Sequence, residues 1–295
     1  MGTLLAGDQA RVSAAEAYEL CERLAKSQYE NFTVGSRLLP RDKRKHLYAI
    51  YAFCRFVDDL GDEFQGDRLE ALDYWEKETE ACFSGTPRHP YLIGVQETIR
   101  LFDIPREPFL RLIQANRMDQ TGGRHATYED LDFYCQHSAN PVGHIVLYVS
   151  GYRDEERQRL SDYTCTALQL TNFWQDVARD FAMGRIYIPL EDMDRFGYAE
   201  ADLANGRATD SFRELMAFEV KRTRDLFELG FPLVDMVDGN LKLDIALFSK
   251  GGLSVLDCIE RQGYDVLSRR PMVGRAKKLR LLASTLLKLK LLGRA

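Results

Sequence analysis

The sequence predicts an all-α protein, and three observations carry that prediction. Apolar residues recur at helical spacing through nearly every long segment, no stretch alternates apolar and polar residues as a half-buried strand would, and no hairpin turn joins two such stretches. No repeat of fixed period is visible, which sets solenoid architectures aside. The chain has 295 residues, 45% hydrophobic and 29% charged, an ordinary composition for a soluble globular protein. Length alone permits one or two domains. Nine prolines are scattered along the chain and nothing has linker composition, so the expectation is one domain, residues 1–295, with a deep interior.

Residues 1–13 are expected to be flexible. A first helix, about 14–30, carries Ala17, Leu20, Cys21 and Leu24 at helical spacing. Glu30 to Pro40 is a polar break containing Gly35, and Pro40 suits a helix start. The second helix runs from about Arg41 to Glu63. Gly66-Asp67 caps a third, about 68–83, marked by Leu69, Leu72, Trp75 and Phe83 and ended by Gly85-Thr-Pro87. Further helices are expected near 90–102, 106–117 and 129–150, with Thr121-Gly-Gly-Arg124 as a breaker between the last two. Residues 154–182 form a long periodic stretch. Gly184-Arg-Ile-Tyr-Ile-Pro189 is short and β-branched but lacks a strand partner, so it reads as an extended loop. Helices at about 209–229, 241–262 and 273–291 complete the chain.

The second helix carries Tyr51-Ala-Phe-Cys-Arg-Phe-Val-Asp-Asp-Leu-Gly-Asp62. Asp58 and Asp62 stand four residues apart and project from one face, with Arg55 and Tyr51 on the same stripe one and two turns earlier. Two neighbouring carboxylates raise each other's pKa unless a cation lies between them. Mg2+ prefers such oxygens and shares them with substrate phosphates. A lone pair of this kind is usually a solvated face or an intrahelical ion pair. A second cluster changes the balance: Asn172, Asp176 and Asp180 recur every four residues on one face of the 154–182 helix. Both clusters sit in apolar company (Phe53, Phe56, Val57; Phe173, Trp174, Val177), where carboxylates are seldom left without a cation. Two such helices facing each other would hold Mg2+ ions around a diphosphate and make ionisation of a carbon–oxygen bond accessible.

Composition narrows the partners. A formal net charge of -5 argues against nucleic acid. Six widely spaced cysteines form neither a disulfide framework nor a zinc site. Without a basic start and apolar core at the N-terminus, or an apolar run of about 18–20 residues, the expected location is cytoplasmic. No glycine-rich dinucleotide fingerprint is present, so NADPH is not expected. His137 and His144 are seven apart and no Glu-x-x-His pair occurs, which argues against a di-iron bundle; His137 near a pocket remains open as an acid or base.

These stretches, with Tyr134-Cys through Val142-Gly143 and Gly184 to Pro189, make the chain resemble the squalene and phytoene synthases over about Ala25 to Leu282. These are head-to-head prenyl transferases with an all-α isoprenoid-synthase fold around a central apolar cavity. The resemblance implies Mg2+ as cofactor, three ions held with a diphosphate, and Asp58, Asp62, Asn172, Asp176 and Asp180 as its ligands. It places Asn31, Phe32, Tyr51, Arg55, Gln169 and Arg269 at substrate-binding positions and Tyr134 in the pocket of the later rearrangement. Tyr29 to Pro40 and Ser138 to Gly143 look most like the bacterial hydroxysqualene synthases of hopanoid pathways, which take presqualene diphosphate to hydroxysqualene. That implies a prenyl diphosphate partner, presqualene or farnesyl, and coupling to a presqualene diphosphate synthase and a reductase. The alternatives are condensation of two prenyl diphosphates, as in presqualene diphosphate, squalene or phytoene synthase, and a non-catalytic assembly scaffold of the same fold. Departures stand at Gln28-Tyr-Glu-Asn31, where many relatives have a basic His-Ser-Lys-Ser-type run, at Asn140-Pro141, at Gln175 in place of Arg, and at Gly252 in place of Tyr. Two missing cations point away from the first-half condensation.

Single residues keep two readings. Arg55 either holds the departing diphosphate or pairs within its helix with Asp58 or Asp59. Tyr134 either faces a carbocation or is plain core. Pro141 predicts a kink, and Asn140 beside it is the candidate for guiding the quenching water. Arg185 and Tyr187 anchor the loop after the second cluster. The tail from Arg269 is basic throughout, with Leu279, Leu282, Leu286 and Leu289 as an apolar stripe. It is either a membrane-surface helix at the inner face or a packed helix with a solvated basic side.

Overall fold

The computed structural model describes residues 12–27 and 41–292. Asn31, Phe32 and the Gln28–Asn31 departure lie outside the described residues, as do residues 1–11. Among those described, every regular element is a helix, and extended pairing is confined to an isolated bridge. In order they are α1 (Ala14–Ser27), α2 (Arg41–Asp62), α3 (Arg68–Ser84), α4 (Pro90–Phe102), α5 (Glu107–Thr121), α6 (Tyr128–Ser138), α7 (Asn140–Ser150), α8 (Glu155–Ala182), α9 (Leu190–Arg195), α10 (Glu200–Ala204), α11 (Asp210–Gly230), α12 (Leu233–Met236), α13 (Gly239–Arg261) and α14 (Arg275–Leu292).

The chain forms two compact units: residues up to Thr121 together with Pro141–Asp154, and Gly122–Asn140 together with everything from Glu155 onward. In the first, α1, α2 and α4 pack on one another and α3 and α5 close the far side of α2. Phe53, Leu72, Trp75, Leu92, Phe109, Ile113 and Ile145 are fully buried there. Phe53 meets Phe109 edge-on at 5.1 Å, and Phe56 lies 4.3 Å from Trp75. Two histidines are sealed into this core. His46 Nδ1 sits 3.0 Å from both Tyr18 Oη and Thr98 Oγ1. His89 lies among Phe56, Trp75 and Tyr91. Burial pushes both down to about 4, so both are neutral at pH 7. Their contribution is lost as pH falls from about 6.5 toward 4, because only the unfolded chain takes up the proton there.

In the second unit the 28-residue α8 is the spine, and α11 packs along it more extensively than any other pair of helices. Trp174 Nε1 donates to Thr223 Oγ1 at 2.8 Å. At Gly252 a Cβ would strike the buried Phe227 ring, so the space that a tyrosine would need is filled from α11. Arg222 joins α11 to α9: it donates to Asp192 Oδ2 at 2.8 Å and to Glu219 Oε2 at 3.2 Å, and lies 4.1 Å over the Tyr128 ring. Loss of hydration, only partly offset by Arg222, pushes Glu219 up to about 8. The folded protein therefore keeps a proton that the unfolded chain releases near pH 4.3. That stabilisation is complete below this pH and declines as pH rises toward 8. Glu219→Gln is expected to flatten the decline of the melting temperature between pH 5 and 8. Melting curves of variant and wild type that stay parallel across this range would exclude it.

Two sequence expectations are corrected. The 184–189 loop does have a partner, which is the breaker segment: Ile186 N donates to Gly123 O at 2.6 Å, Leu190 N to His125 O at 2.9 Å and Glu191 N to Ala126 O at 3.0 Å. Gly123 (φ 87°) allows this, and a Cβ there would come within 3.3 Å of Gly184 O. The 129–150 helix is two helices, broken at Ala139 (φ -120°, ψ -50°), two residues before Pro141, which enters the first turn of α7.

Candidate active site

The first acidic cluster occupies the C-terminal end of α2. Asp58 and Asp62 are both exposed. Asp58 is nevertheless set against dense packing: Asn116 Nδ2 on α5 donates to its Oδ1 at 3.2 Å and to Leu112 O at 3.3 Å. Gln120 Nε2 binds Gly61 O and Asn116 O, each at 3.0 Å. Gly61 is required by this clamp, since a Cβ would collide with Asn116 Oδ1. Loss of hydration, reinforced by Asp62 and Asp59 and opposed by Asn116 and Arg55, pushes Asp58 up to about 7. An adjacent cation would relieve this repulsion. Arg55 points along the neighbouring stripe, 2.5 Å from Asp59 and 2.9 Å from Glu63. Of the two intrahelical partners left open, Asp59 is engaged as an ion pair, with Glu63 added. Tyr51 is half-buried against the core of the unit.

The second cluster lines one face of α8, with Asn172 exposed and Asp176 and Asp180 half-buried, while Phe173, Trp174 and Val177 are buried behind it. Gln169 is half-buried one turn earlier. Arg270, from the segment joining α13 to α14, grips Asp176 with both prongs: Nε to Oδ1 at 2.6 Å and Nη2 to Oδ2 at 2.7 Å. Nη2 also donates to Gln175 Oε1 at 3.1 Å, and Gln175 Nε2 donates to Pro271 O. Arg269 is exposed, with its carbonyl bound by Gln262 Nε2 at 3.0 Å, so the cation on this motif is its neighbour.

Phe173, Val177, Asp180, Tyr187 and Leu203 border a small recess beside the end of the cluster. Phe173 and Tyr187 stack at 3.7 Å, and the buried Tyr134 ring lies 5.7 Å from Tyr187 and 6.2 Å from Phe173. Asn140 is buried and its Oδ1 accepts from Thr166 Oγ1 at 3.0 Å. His137 pairs with Phe133 O at 2.8 Å in its own helix. On α14, Thr285 is buried, and of the predicted stripe Leu282 and Leu286 are half-buried while Leu279 is 68% exposed, as is Leu287 outside the stripe at 59%; the side chain of Leu289 lies outside the described residues.

The donors are hard oxygens of the kind Mg2+ takes. Among the described residues no three or more His, Cys, Asp or Glu side chains make a closed cage. Mg2+ does not require one, because it completes its shell with water and substrate phosphate. All six cysteines are free thiols, and no described helix is long and apolar enough to cross a membrane. Asn116, Gln120 and Arg270 were invisible to motif reading. The pattern that finds Asp58 is silent about an amide 58 residues away, and one arginine in a basic tail carries no mark of its partner.

A profile of the family described as squalene/phytoene synthase matches residues 25–277. The chain is 34% identical to the phytoene synthase of Arthrospira platensis, covering 90% of this chain and 91% of that one. It is 36% identical to the 15-cis-phytoene synthase of Synechocystis sp., covering 90% and 83%. Among solved structures, the squalene synthase HpnC of Alicyclobacillus acidocaldarius is 47% identical, with a TM-score of 0.83 over 89% of this chain and 99% of that one. A dehydrosqualene synthase solved with a ligand is 27% identical, with a TM-score of 0.86 over 94% and 98%. The chain belongs to the squalene/phytoene synthase family, enzymes that act on prenyl diphosphates.

Proposed function

We propose that this protein converts presqualene diphosphate to hydroxysqualene in a Mg2+-dependent reaction of squalene and hopanoid biosynthesis. The observation that supports the squalene side of the family is the 47% identity with the squalene synthase HpnC over nearly all of that chain, against 34–36% with the phytoene synthases. The choice of the hydroxysqualene step rests on the resemblance of Tyr29 to Pro40 and Ser138 to Gly143. In this reading Asp58, Asp62, Asn172, Asp176 and Asp180 hold the ions. Bound Mg2+ supplies charge neutralisation of the leaving diphosphate.

The chain's own residues do the rest. Asn116 fixes the rotamer of Asp58, and Gln120 ties the Gly61 backbone to that of Asn116. Tyr51, Gln169, Arg269, Asn31 and Phe32 contact the substrate, and Arg55 exchanges its carboxylate partners for the diphosphate. The Tyr134, Phe173 and Tyr187 rings offer π faces to a cyclopropylcarbinyl cation and exclude water from most of its surface. Asn140 orients the single water that quenches it. Exposed Leu279 and Leu287 among Arg275, Lys278 and Arg280 suit contact with an anionic membrane surface that would receive an apolar product.

Presqualene diphosphate incubated with Mg2+ and no NADPH is expected to yield hydroxysqualene. Turnover of farnesyl or geranylgeranyl diphosphate alone would reverse the assignment in favour of condensation of two prenyl diphosphates. One observation favours that second reading: the cation missing at Gln175 is restored by Arg270, whose guanidinium Gln175 itself holds.

A further inference from the structure

The Arg270–Asp176 contact is a more committed arrangement than a surface ion pair. Both carboxylate oxygens are taken by a planar fork, the geometry that makes such pairs strong and directional. Arg179 Nη1 lies a further 3.5 Å from Oδ1. The segment that presents Arg270 is laced from several sides. Asp265 accepts from Ser268 N at 2.9 Å and from Ser268 Oγ at 2.8 Å, Gln262 binds the Arg269 carbonyl, and buried Gln175 binds the Pro271 carbonyl. The backbone on either side of Arg270 is therefore fixed. The Arg270 side chain, by contrast, is 39% exposed, against 17% for that of Asp176. An arginine does not lose its charge near neutral pH, so it parts from Asp176 as a cation, and an arriving anion is the partner that can replace the carboxylate.

We infer that Arg270 is an exchangeable counter-ion: it pairs with Asp176 until Mg2+ takes that carboxylate, and the released guanidinium then binds the diphosphate. Gln175 is the pivot, since it holds the Pro271 carbonyl throughout and gives up only the guanidinium. Metal and diphosphate binding are coupled as a result. Mg2+ alone competes with Arg270 for Asp176, whereas Mg2+ with diphosphate gives Arg270 a new partner. The inference rests on Asp176 as a Mg2+ ligand and is independent of which prenyl diphosphate is turned over.

The test uses the full chain, with Mn2+ as an EPR-visible stand-in for Mg2+ and inorganic pyrophosphate as the anion. Arg270→Gln is expected to raise Mn2+ affinity without pyrophosphate by about threefold to tenfold. The same variant is expected to lower pyrophosphate affinity at saturating metal by a similar factor, read by calorimetry. Arg270→Lys, which keeps the charge and loses the fork, is expected to fall between the two. A purely structural role would weaken both affinities together. If Asp176→Asn abolishes tight Mn2+ binding while Arg270→Gln leaves it unchanged or weaker, the exchange is wrong and the ligand assignment stands. If Asp176→Asn leaves Mn2+ binding intact, the ligand assignment itself fails, and the exchange with it.

Discussion

Asp58→Asn is expected to lower kcat/KM on the prenyl diphosphate substrate on the order of 10²- to 10³-fold, the scale of losing a group that organises transition-state charge. The substitution is nearly isosteric, and an Asn oxygen can still accept from Asn116 Nδ2. It removes the charge that Asp62 and Asp59 oppose and that sits against dense packing, the causes that push this carboxyl up to about 7. Folding should therefore be unharmed, with a melting temperature equal to or above wild type, so activity and stability move in different directions. A loss of activity that tracked a fall in melting temperature would mean the residue serves the fold. Activity within a few-fold of wild type would remove Asp58 from the machinery. If Asp58→Asn and Asp176→Asn both left the protein's cellular role intact, a scaffold of the same fold would become the better reading.

Gly230→Ala is expected to destabilise the protein by about 3 kcal/mol, a fall in melting temperature of roughly 5–10 °C for a domain of this size. Gly230 is buried at the last turn of α11, against α8. A Cβ there would collide with Thr164 Oγ1 and come within 2.9 Å of Thr164 N and 3.0 Å of Leu160 O. Two of these three obstacles are helix backbone, which cannot rotate away as a side chain tip can. The helices would have to part along the contact that supports the spine of the second unit, and that spine carries Asn172, Asp176 and Asp180. Thermal melts decide the matter: a shift under 2 °C would mean that α11 moves aside freely.

The long helices were legible because each buries one stripe over many turns, which repeats the same apolar signal. The short α9, α10 and α12 were not, since four to six residues complete too few turns to show a period. The break before α7 is legible from Pro141 and falls two residues before it, at Ala139. The bridge between 123–126 and 186–191 escaped notice because its two sides are a glycine-rich turn and a six-residue loop, neither of which has strand length. At the site, the ligand types were legible from four-residue spacing. Their supports were not: Asn116 and Gln120 reach α2 from a helix whose sequence looks ordinary. Gln175 likewise read as a lost charge, although an arginine 95 positions later brings that charge back.

The order in which the chain visits its two units bears on how the protein can be made and cut. The first unit is interrupted by Gly122–Asn140 and completed only by Pro141–Asp154. Ile145 and Val149 from that late segment are part of its buried core. Lys43 Nζ reaches Ser150 O at 3.5 Å, and Arg153 Nη2 donates to Phe102 O at 2.6 Å. A ribosome that has released residues 1–121 has therefore not yet supplied the pieces that seal the interior it has begun. No single proteolytic nick separates two self-sufficient halves. A fragment ending at Thr121 would expose apolar surface where Ile145 and Val149 belong, and limited proteolysis at the Gly122–Gly123 turn should leave the nicked chains associated.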